Sequence, residues 1–565
     1  MKHDRPRAYV VRYGKAPIYW LYRLEKLFST PGLVVATLFF AVSLTPSLIP
    51  RTYVTQGVLS GVSLAAGYAI GVVAHWLWAY LELPEPREFV EAVIKLAAAV
   101  ICLTIALIFL ERASEWQNSI RFLMHMEPVD TARPFRVAAI ATAVFIALYL
   151  LGLVFRLTVH LSSVWLRRHI PRRVSHLIGV LAAAALFWAL VDGVLIKYGL
   201  RAADASYQKF DALVESGVNP PVNPIRTGSQ ASLLDWEDLG RAGRQFVSWG
   251  PRRARLSAFF NGRDTLDPIR VYVGLNSADT IEERTDLALQ ELKRVGAFER
   301  SLLVIATPTG TGMVDEAAIN PLEYLHRGDT ATVAVQYSYL ASWLSLLAEP
   351  EYGAETAHAL FNKIYDHWTQ LPRNDRPRLY LHGLSLGALN SQLSTDIYDV
   401  LGDPIQGALW SGPPFASERW RNIIENRRPS STAWLPVFRD GSVIRFKNQW
   451  NKLKRPGARW GPIRFVYLQY ASDPVTFFDS RALYREPSWM DAPRGPDVSR
   501  ELRWYPVITL LQLTVDMAAA VKVPRGFGHR YAPEDYIDAW VAVTEPEGWP
   551  KAELERLKSI YKDWE

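Results

Sequence analysis

A serine between two glycines is the sharpest chemical signal in this chain of 565 residues. Residues Gly383 to Gly387 have the sequence Gly-Leu-Ser-Leu-Gly, after the apolar run Leu379 to Leu381 and before a helix-like stretch. A serine on a strained turn from strand to helix can act as a nucleophile if the residues two before and two after it are small. The helix behind it aims amide hydrogens at the reacting oxygen. We therefore predict that Ser385 is a nucleophile; an ordinary glycine-rich turn is the alternative.

Such a serine needs a base and an acid, and chain order narrows the choice of both. In α/β-hydrolases, which carry this turn, the acid follows the serine and the histidine comes last. Of the 11 histidines only His529 follows Ser385, so a triad in this order must use it. Asp473 comes just after the apolar run Ile463 to Gln469, at the sheet edge where the acid belongs, and we predict it as the third member. The other interpretation is that Asp473 only stabilises a turn. The alternative acids for the triad are Asp479 and Asp440.

Acyl transfer also requires hydrogen-bond donors for the developing oxyanion. The amide after the nucleophile, that of Leu386, is one predicted donor. The second should come from the loop Thr307 to Gly312, where Gly310 lets the backbone approach a substrate. A phosphate cradle is the competing interpretation of this loop, but no lysine follows it and the Walker spacing is missing. No His, Asp or Glu cluster has metal-ligand spacing, so we expect neither a metal nor an organic cofactor.

Short apolar runs alternate with helical patterns through the second half of the chain, which indicates a mainly parallel sheet with helices on both faces. The predicted domain spans residues 268–565 and follows a turn-rich linker with some helix over residues 201–267. The predicted strands are Ile269 to Leu275, Leu302 to Ala306, Thr332 to Gln336, Arg378 to His382, Gly407 to Trp410 and Ile463 to Gln469. The clearest predicted helices are Thr280 to Val295, Thr356 to Gln370 and Ala388 to Val400.

The segment Glu418 to Trp460 interrupts this alternation between the last two predicted strands. It holds eleven Lys and Arg against three acids. One interpretation is a lid over the active site that also touches anionic lipid headgroups. The other is a solvated insertion whose tryptophans pack on the sheet. Those tryptophans are Trp420, Trp434, Trp450 and Trp460.

The first 200 residues carry apolar runs that soluble domains lack, and they predict a transmembrane bundle of about five helices. This half also holds 20 Lys and Arg against 11 Asp and Glu, so it accounts for the formal charge of +7. The basicity therefore belongs to a membrane domain and does not indicate nucleic acid. The only cysteine, Cys102, lies within an apolar run. The predicted spans are Pro31 to Ile49, Gly57 to Leu81, Phe89 to Leu110, Val137 to Val159 and His176 to Lys197.

Basic residues predict the orientation of these spans. Twelve Lys and Arg lie before the first span and in alternate loops, against five in the opposite loops, which favours a cytoplasmic amino terminus. Five spans then place the catalytic half outside the cytoplasm, at the inner membrane. The first span is the weakest, because Pro46 and Pro50 must break or kink its helix, and a short or re-entrant span is the alternative.

Several polar residues fall within the predicted spans. A proton relay or transport site is one interpretation. Anchoring and packing fit better, because most of these residues lie at span ends or in an aromatic belt. They are His75, Arg156, His160, Asp192 and Lys197.

In combination, several motifs resemble a family of bacterial membrane proteins that join a multi-span amino-terminal domain to an α/β-hydrolase domain. The resemblance covers nearly the whole chain, with one departure at Leu384, where members often carry Glu. It implies an α/β-hydrolase fold. The motifs are Ser43-Leu44-Thr45-Pro46-Ser47-Leu48, Pro308-Thr309-Gly310-Thr311-Gly312, Gln336-Tyr337-Ser338-Tyr339-Leu340, the Ser385 turn, Ser472-Asp473-Pro474 and Gly528-His529-Arg530-Tyr531.

Together these patterns predict a membrane-tethered serine hydrolase, similar to an esterase or lipase, that cleaves an ester or related acyl bond of a lipid or cell-envelope substrate. The same triad could instead transfer the acyl group to an acceptor other than water. A third hypothesis is a non-catalytic scaffold or lipid-handling protein with an inactive hydrolase domain.

Overall fold

The computed structural model describes residues 28–84, 87–189, 211, 219–340, 351–455 and 457–562. The basic residues before the first predicted span lie outside these ranges, as do Asp192 and Lys197. The amino-terminal region forms five helices that pack against one another. Their bounds are α1 Thr30–Ser43, α2 Tyr53–Tyr80, α3 Glu88–Leu123, α4 Pro134–Leu166 and α5 Arg172–Ala189.

Four of these five helices, α2 to α5, are long and apolar enough to cross a membrane. Helix α1 has 14 residues. At about 1.5 Å per residue it is roughly 21 Å long, whereas a hydrocarbon core is about 30 Å thick. The described residues thus hold four helices of spanning length and one shorter helix, α1. The helix ends where expected, because the chain turns away at Thr45 and Pro46.

Small residues on α2 let its neighbours approach closely, as is common between membrane helices. A side chain at Gly61 would lie 2.6 Å from Val144 of α4. A side chain at Gly71 would lie 2.5 Å from the carbonyl oxygen of Pro31. Helix α1 thus begins beside the last third of α2 and runs antiparallel to it.

The carboxy-terminal region is built on a seven-stranded sheet with the order β1-β3-β2-β4-β5-β7-β6, in which every pairing is parallel. Its central strands are buried on both faces, which explains their nearly continuous apolar sequences. The predicted mainly parallel sheet is confirmed. The strands are β1 Ile269–Val273, β2 Leu302–Thr307, β3 Thr330–Val335, β4 Arg378–Leu384, β5 Gly407–Ser411, β6 Ile444–Lys447 and β7 Arg464–Leu468.

Helices cover both faces of this sheet. The predicted helix Ala388 to Val400 is in fact two helices, α11 and α12, because Asp396 caps the second one by accepting from the Tyr398 amide. The helices are α6 Gly240–Trp249, α7 Arg253–Phe259, α8 Ile281–Arg294, α9 Glu316–Leu325, α10 Tyr352–Gln370, α11 Leu386–Leu393, α12 Ile397–Val400, α13 Glu418–Glu425, α14 Pro474–Phe477, α15 Ile508–Ala518, α16 Pro533–Thr544 and α17 Lys551–Ile560.

Two regions add detail to the sequence-based expectation. Residues 219–267, within the segment predicted as a linker with some helix, hold α6 and α7, and Phe246 and Leu256 are buried against the sheet. Strand β6 lies within the segment predicted as an insertion and extends the sheet edge. In that segment the indole of Trp420 donates to Gln469 and that of Trp434 donates to the Pro493 carbonyl. This packing favours the interpretation in which the tryptophans lie on the sheet.

The amino-terminal helices and the sheet domain share one apolar core. Leu48 and Ile49, from the segment between α1 and α2, are fully buried with residues of the sheet domain. Ile120 and Met124, at the carboxyl end of α3, lie in the same cluster. Helix α15 contacts both α1 and α2. The carboxyl end of α3 and the α1–α2 connection therefore form the face on which the sheet domain rests.

Candidate active site

Ser385 lies on the sharp turn between β4 and α11. Its backbone has φ +56° and ψ −124°, a conformation that costs a non-glycine residue on the order of 1–3 kcal/mol. The turn is fixed by a hydrogen bond of 2.9 Å from the Ser385 amide to the Ser411 carbonyl at the end of β5. The side chain is buried beneath the surface. Such strain, held by surrounding structure, is typical of a nucleophile elbow.

The two glycines of the motif are required by close backbone contacts. A Cβ at Gly383 would lie 2.4 Å from the carbonyl carbon of Gly387. A Cβ at Gly387 would lie 2.3 Å from the carbonyl oxygen of Thr307, the last residue of β2, and 2.8 Å from that of Pro308, the first residue of the loop that follows. No side chain fits at either position. The turn and the loop after β2 are thus packed directly against each other.

Asp473 and His529 meet across the end of β7. His529 Nδ1 lies 2.7 Å from Asp473 Oδ2, and the carboxylate is completely buried. The Asp473 side chain also caps α14, where Oδ1 accepts from the amides of Val475 at 2.9 Å and Thr476 at 3.4 Å. These bonds fix the carboxylate plane toward the imidazole. The alternative acids lie elsewhere, since Asp479 binds Arg481 and Asp440 binds Ser442.

The other imidazole nitrogen, Nε2 of His529, is buried and has no hydrogen-bond partner among the described residues. A Cβ at Gly412 would lie 2.7 Å from Cε1 of this ring. Gly412 follows Ser411, whose carbonyl holds the Ser385 amide. Ser385 and His529 therefore contact adjacent residues, Ser411 and Gly412, yet no hydrogen bond joins their side chains in the described part of the chain. Catalytic hydrogen bonds without substrate are often longer than in the complex.

The predicted oxyanion donors flank Ser385. Leu386 is the first residue of α11, so its amide has no partner in the helix's own bonding pattern. Gly310 is buried in the loop that touches Gly387. Two contacts shape this loop: the Thr309 amide donates to the Met313 carbonyl at 2.9 Å, and the Tyr272 hydroxyl donates to the Gly312 carbonyl at 2.7 Å.

Sequence reasoning assigned no role to three residues that hold the acid and the histidine. The Tyr531 hydroxyl donates to Asp473 Oδ2 at 2.6 Å, and Thr476 Oγ1 donates to the same oxygen at 3.1 Å. Burial beside Asp473 raises the pKa of Tyr531 well above its usual range, so this hydroxyl stays a donor. Ser472 Oγ accepts from the Gly528 amide at 2.9 Å. Ser472 and Tyr531 belong to the motifs Ser472-Asp473-Pro474 and Gly528-His529-Arg530-Tyr531, but their hydrogen-bond partners are apparent only from the fold.

His382 is a structural histidine, although it directly precedes the turn. Its Nδ1 lies 2.8 Å from the Leu409 carbonyl, and its ring packs on Trp540. Burial lowers its pKa to about 4, so the ring is neutral at physiological pH. Within the described ranges, no group of three or more His, Cys, Asp or Glu side chains could hold a metal ion.

Two family models match this chain. Residues 269–557 match the sequence model of an alpha/beta-hydrolase family, and residues 44–251 match the model of an alpha/beta-hydrolase family N-terminus. The chain therefore belongs to this α/β-hydrolase family, as the resemblance of the motifs implied. Comparisons with curated proteins and with solved structures gave no match.

Proposed function

We propose that the protein is a membrane-tethered serine hydrolase that cleaves an ester or related acyl bond. Its family and fold are those of hydrolases. The observation that carries the proposal is the 2.7 Å contact of His529 with a buried carboxylate, in a ring whose Cε1 lies beside Gly412, the residue after the Ser411 carbonyl that holds the Ser385 amide. This arrangement provides a base whose tautomer and orientation are fixed.

In the proposed reaction, Ser385 Oγ attacks the acyl carbonyl carbon while His529 Nε2 accepts the hydroxyl proton. Asp473 orients the imidazole and stabilises its cation. The amides of Leu386 and Gly310 bind the oxyanion. Collapse of this intermediate breaks the bond to the leaving group, which takes the proton from His529 and leaves an acyl-enzyme. Water, deprotonated by His529, then attacks the acyl-enzyme and releases the acid.

We propose a lipid or cell-envelope acyl ester as substrate, because the histidine loop rests on the membrane domain. A Cβ at Gly528 would lie 3.7 Å from the Ile49 side chain. The ring of Phe527 packs edge-on against His125, with centroids 5.8 Å apart. At the same end of the bundle, Arg133 stacks over the Tyr53 ring, a combination suited to the headgroup region. An ester at the bilayer surface would lie near this site.

The packing also supports an extracytoplasmic catalytic domain at the inner membrane. That domain rests on the α1–α2 connection and the end of α3. The opposite end of the bundle carries the loops with Arg87, Arg167 and Arg168. Because basic loops are retained in the cytoplasm, the catalytic side faces outward. The orientation follows from the helix ends that contact the catalytic domain, so it does not require α1 to cross the membrane.

Labelling by a fluorophosphonate probe tests the proposed nucleophile. The wild-type protein should be labelled at Ser385, and Ser385→Ala should abolish both labelling and ester hydrolysis. Ser394→Ala is a matched control, because Ser394 is also buried, at the end of α11. A wild-type protein that is folded but never labelled would favour the inactive scaffold. Partitioning of an acyl donor toward added alcohol would instead favour acyl transfer.

A further inference from the structure

The segment between α1 and α2 joins two membrane helices, yet several of its contacts are with the catalytic domain. Its backbone is bound by side chains of α15. The Gln512 side-chain amide donates to the Thr45 carbonyl at 3.1 Å, and Asp516 Oδ2 accepts from the Leu48 amide at 3.0 Å. Leu48 itself is fully buried. Helix α15 is therefore attached to the membrane domain by directional bonds as well as by apolar packing.

A buried ion pair completes this attachment. Arg51 Nε lies 3.9 Å from Asp516 Oδ1, and neither side chain is exposed. The Arg51 guanidinium also donates to the Thr45 carbonyl at 2.8 Å, while its backbone amide donates to Gln117 of α3 at 2.8 Å. Burial raises the pKa of Asp516, an effect that the nearby Arg51 opposes. Removing either charge would leave the other buried without compensation.

Helix α15 leads directly to the loop that carries His529. Two residues beyond its end, the Ala520 carbonyl accepts from the His529 amide at 3.0 Å. Gly528 lies between the Ala520 carbonyl and the segment that joins α1 to α2. A Cβ at Gly528 would lie 2.7 Å from the Ala520 carbonyl oxygen and 3.7 Å from the Ile49 side chain. On its other side, the Gly528 amide donates to Ser472 Oγ, next to Asp473. The loop is held between α15 and the end of β7.

We propose that the membrane domain positions the general base, and that Asp516 and Arg51 are positioning residues for His529. The inference rests on the proposed function. His529 Nε2 has no partner among the described residues, so its approach to Ser385 depends on where the loop lies. A misplacement of about 1 Å in a catalytic group costs on the order of 100-fold in rate. The membrane domain thus completes the active site as well as anchoring it.

The test compares full-length variants in detergent with a short, soluble ester. Asp516→Ala should lower kcat by on the order of 10- to 100-fold with KM unchanged, and should slow fluorophosphonate labelling in parallel. Asp516→Asn, which keeps an acceptor for the Leu48 amide, should recover part of this loss. Gln512→Ala is the milder variant to use if Asp516→Ala does not fold. It removes one bond to Thr45 and should still lower kcat.

The matched control breaks another fully buried ion pair, Arg270–Glu323, which lies in the same domain and outside the His529 loop. Glu323→Gln should lower the melting temperature and leave kcat unchanged at a temperature where the protein is folded. Equal kcat losses in the control and in Asp516→Ala, or an unchanged kcat in folded Asp516→Ala and Gln512→Ala, would overturn the inference. Absence of labelling in the wild-type protein would contradict the proposed function instead.

Discussion

Tyr531 and His529 donate to the same oxygen of Asp473, at 2.6 Å and 2.7 Å. The carboxylate is completely buried, and it also accepts from Thr476 and from two backbone amides. A buried carboxylate needs such partners, since an unpaired charge away from water is costly. Tyr531 therefore helps to keep Asp473 in the position from which it orients the histidine.

The variant Tyr531→Phe should weaken catalysis without changing shape at the site. Loss of a hydrogen bond to a charged group costs roughly 1.5–3 kcal/mol of unfolding free energy. If about 1.4 kcal/mol of this loss raises the activation free energy of the reaction, kcat falls about tenfold. Ester hydrolysis and thermal melting would be measured together. Tyr536→Phe is the control, because its hydroxyl donates at 2.7 Å to another carboxylate, that of Asp315. A similar kcat loss in both variants would show that Tyr531 has no specific role in holding Asp473 for catalysis.

The parts that sequence reasoning predicted depend on local pattern and chain order. The Ser385 turn has a required glycine on each side, and one histidine alone follows it. Strand β6 escaped prediction because its four residues, Ile-Arg-Phe-Lys, lie within a stretch rich in charge. The pairing of Arg51 with Asp516 joins residues that are far apart in the chain, and no spacing rule connects them. The candidate triad was thus accessible from sequence, whereas its attachment to the amino-terminal helices required the fold.

A methyl group at Gly387 should disable the proposed nucleophile. The added Cβ would lie 2.3 Å from the Thr307 backbone oxygen, so either the turn or the loop after β2 must shift. Both carry proposed oxyanion donors, and we expect Gly387→Ala to lower kcat on the order of 100-fold. Gly402→Ala is the control, since nothing lies within 4 Å of a Cβ there. Full activity in folded Gly387→Ala would show that this close contact does not shape the site.

Glu316 should make the protein less stable as the pH rises. Burial raises the pKa of Glu316 from 4.5 to about 7. The unfolded chain therefore ionises this carboxyl first, and the free energy of unfolding falls between about pH 4.5 and pH 7. Glu316→Gln should leave stability unchanged at pH 4 and increase it at pH 8 by about 2 kcal/mol, allowing for partial exposure. Melting curves at both pH values, with the exposed Glu418→Gln as control, measure this. A gain that is equal at pH 4 and pH 8 would contradict the explanation.

The proposed orientation of the protein in the membrane can be tested by labelling single cysteines. In a Cys102→Ser background, Tyr484→Cys should react with an impermeant maleimide in spheroplasts, because Tyr484 is exposed on the catalytic domain. Arg168→Cys, at the opposite end of the bundle, should react only after the membrane is permeabilised. Labelling in the reverse order would place the catalytic domain in the cytoplasm.

The basic segment Glu418 to Trp460 has one exposed surface that combines an aromatic ring with basic side chains. Trp420 and Trp434 are buried, so the exposed part centres on Trp450, which is 44% exposed. The Lys452 ammonium lies 4.9 Å from the Trp450 ring centroid. An aromatic ring beside a lysine suits the bilayer interface, where each basic residue contributes about 1 kcal/mol at low salt.

If this surface docks on headgroups, changing Lys452 and Lys454 to Gln removes about 2 kcal/mol of attraction, which corresponds to roughly thirtyfold in apparent KM. This increase should appear for long-chain esters presented in anionic vesicles at low salt, and high salt should reproduce it in the wild-type protein. Hydrolysis of a short soluble ester should stay unchanged, because that substrate needs no bilayer contact. Changing Arg252 and Arg253 to Gln, at another exposed surface, controls for net charge. If both substrates are affected equally, or neither is affected, the segment is a solvated edge of the sheet that does not contact headgroups.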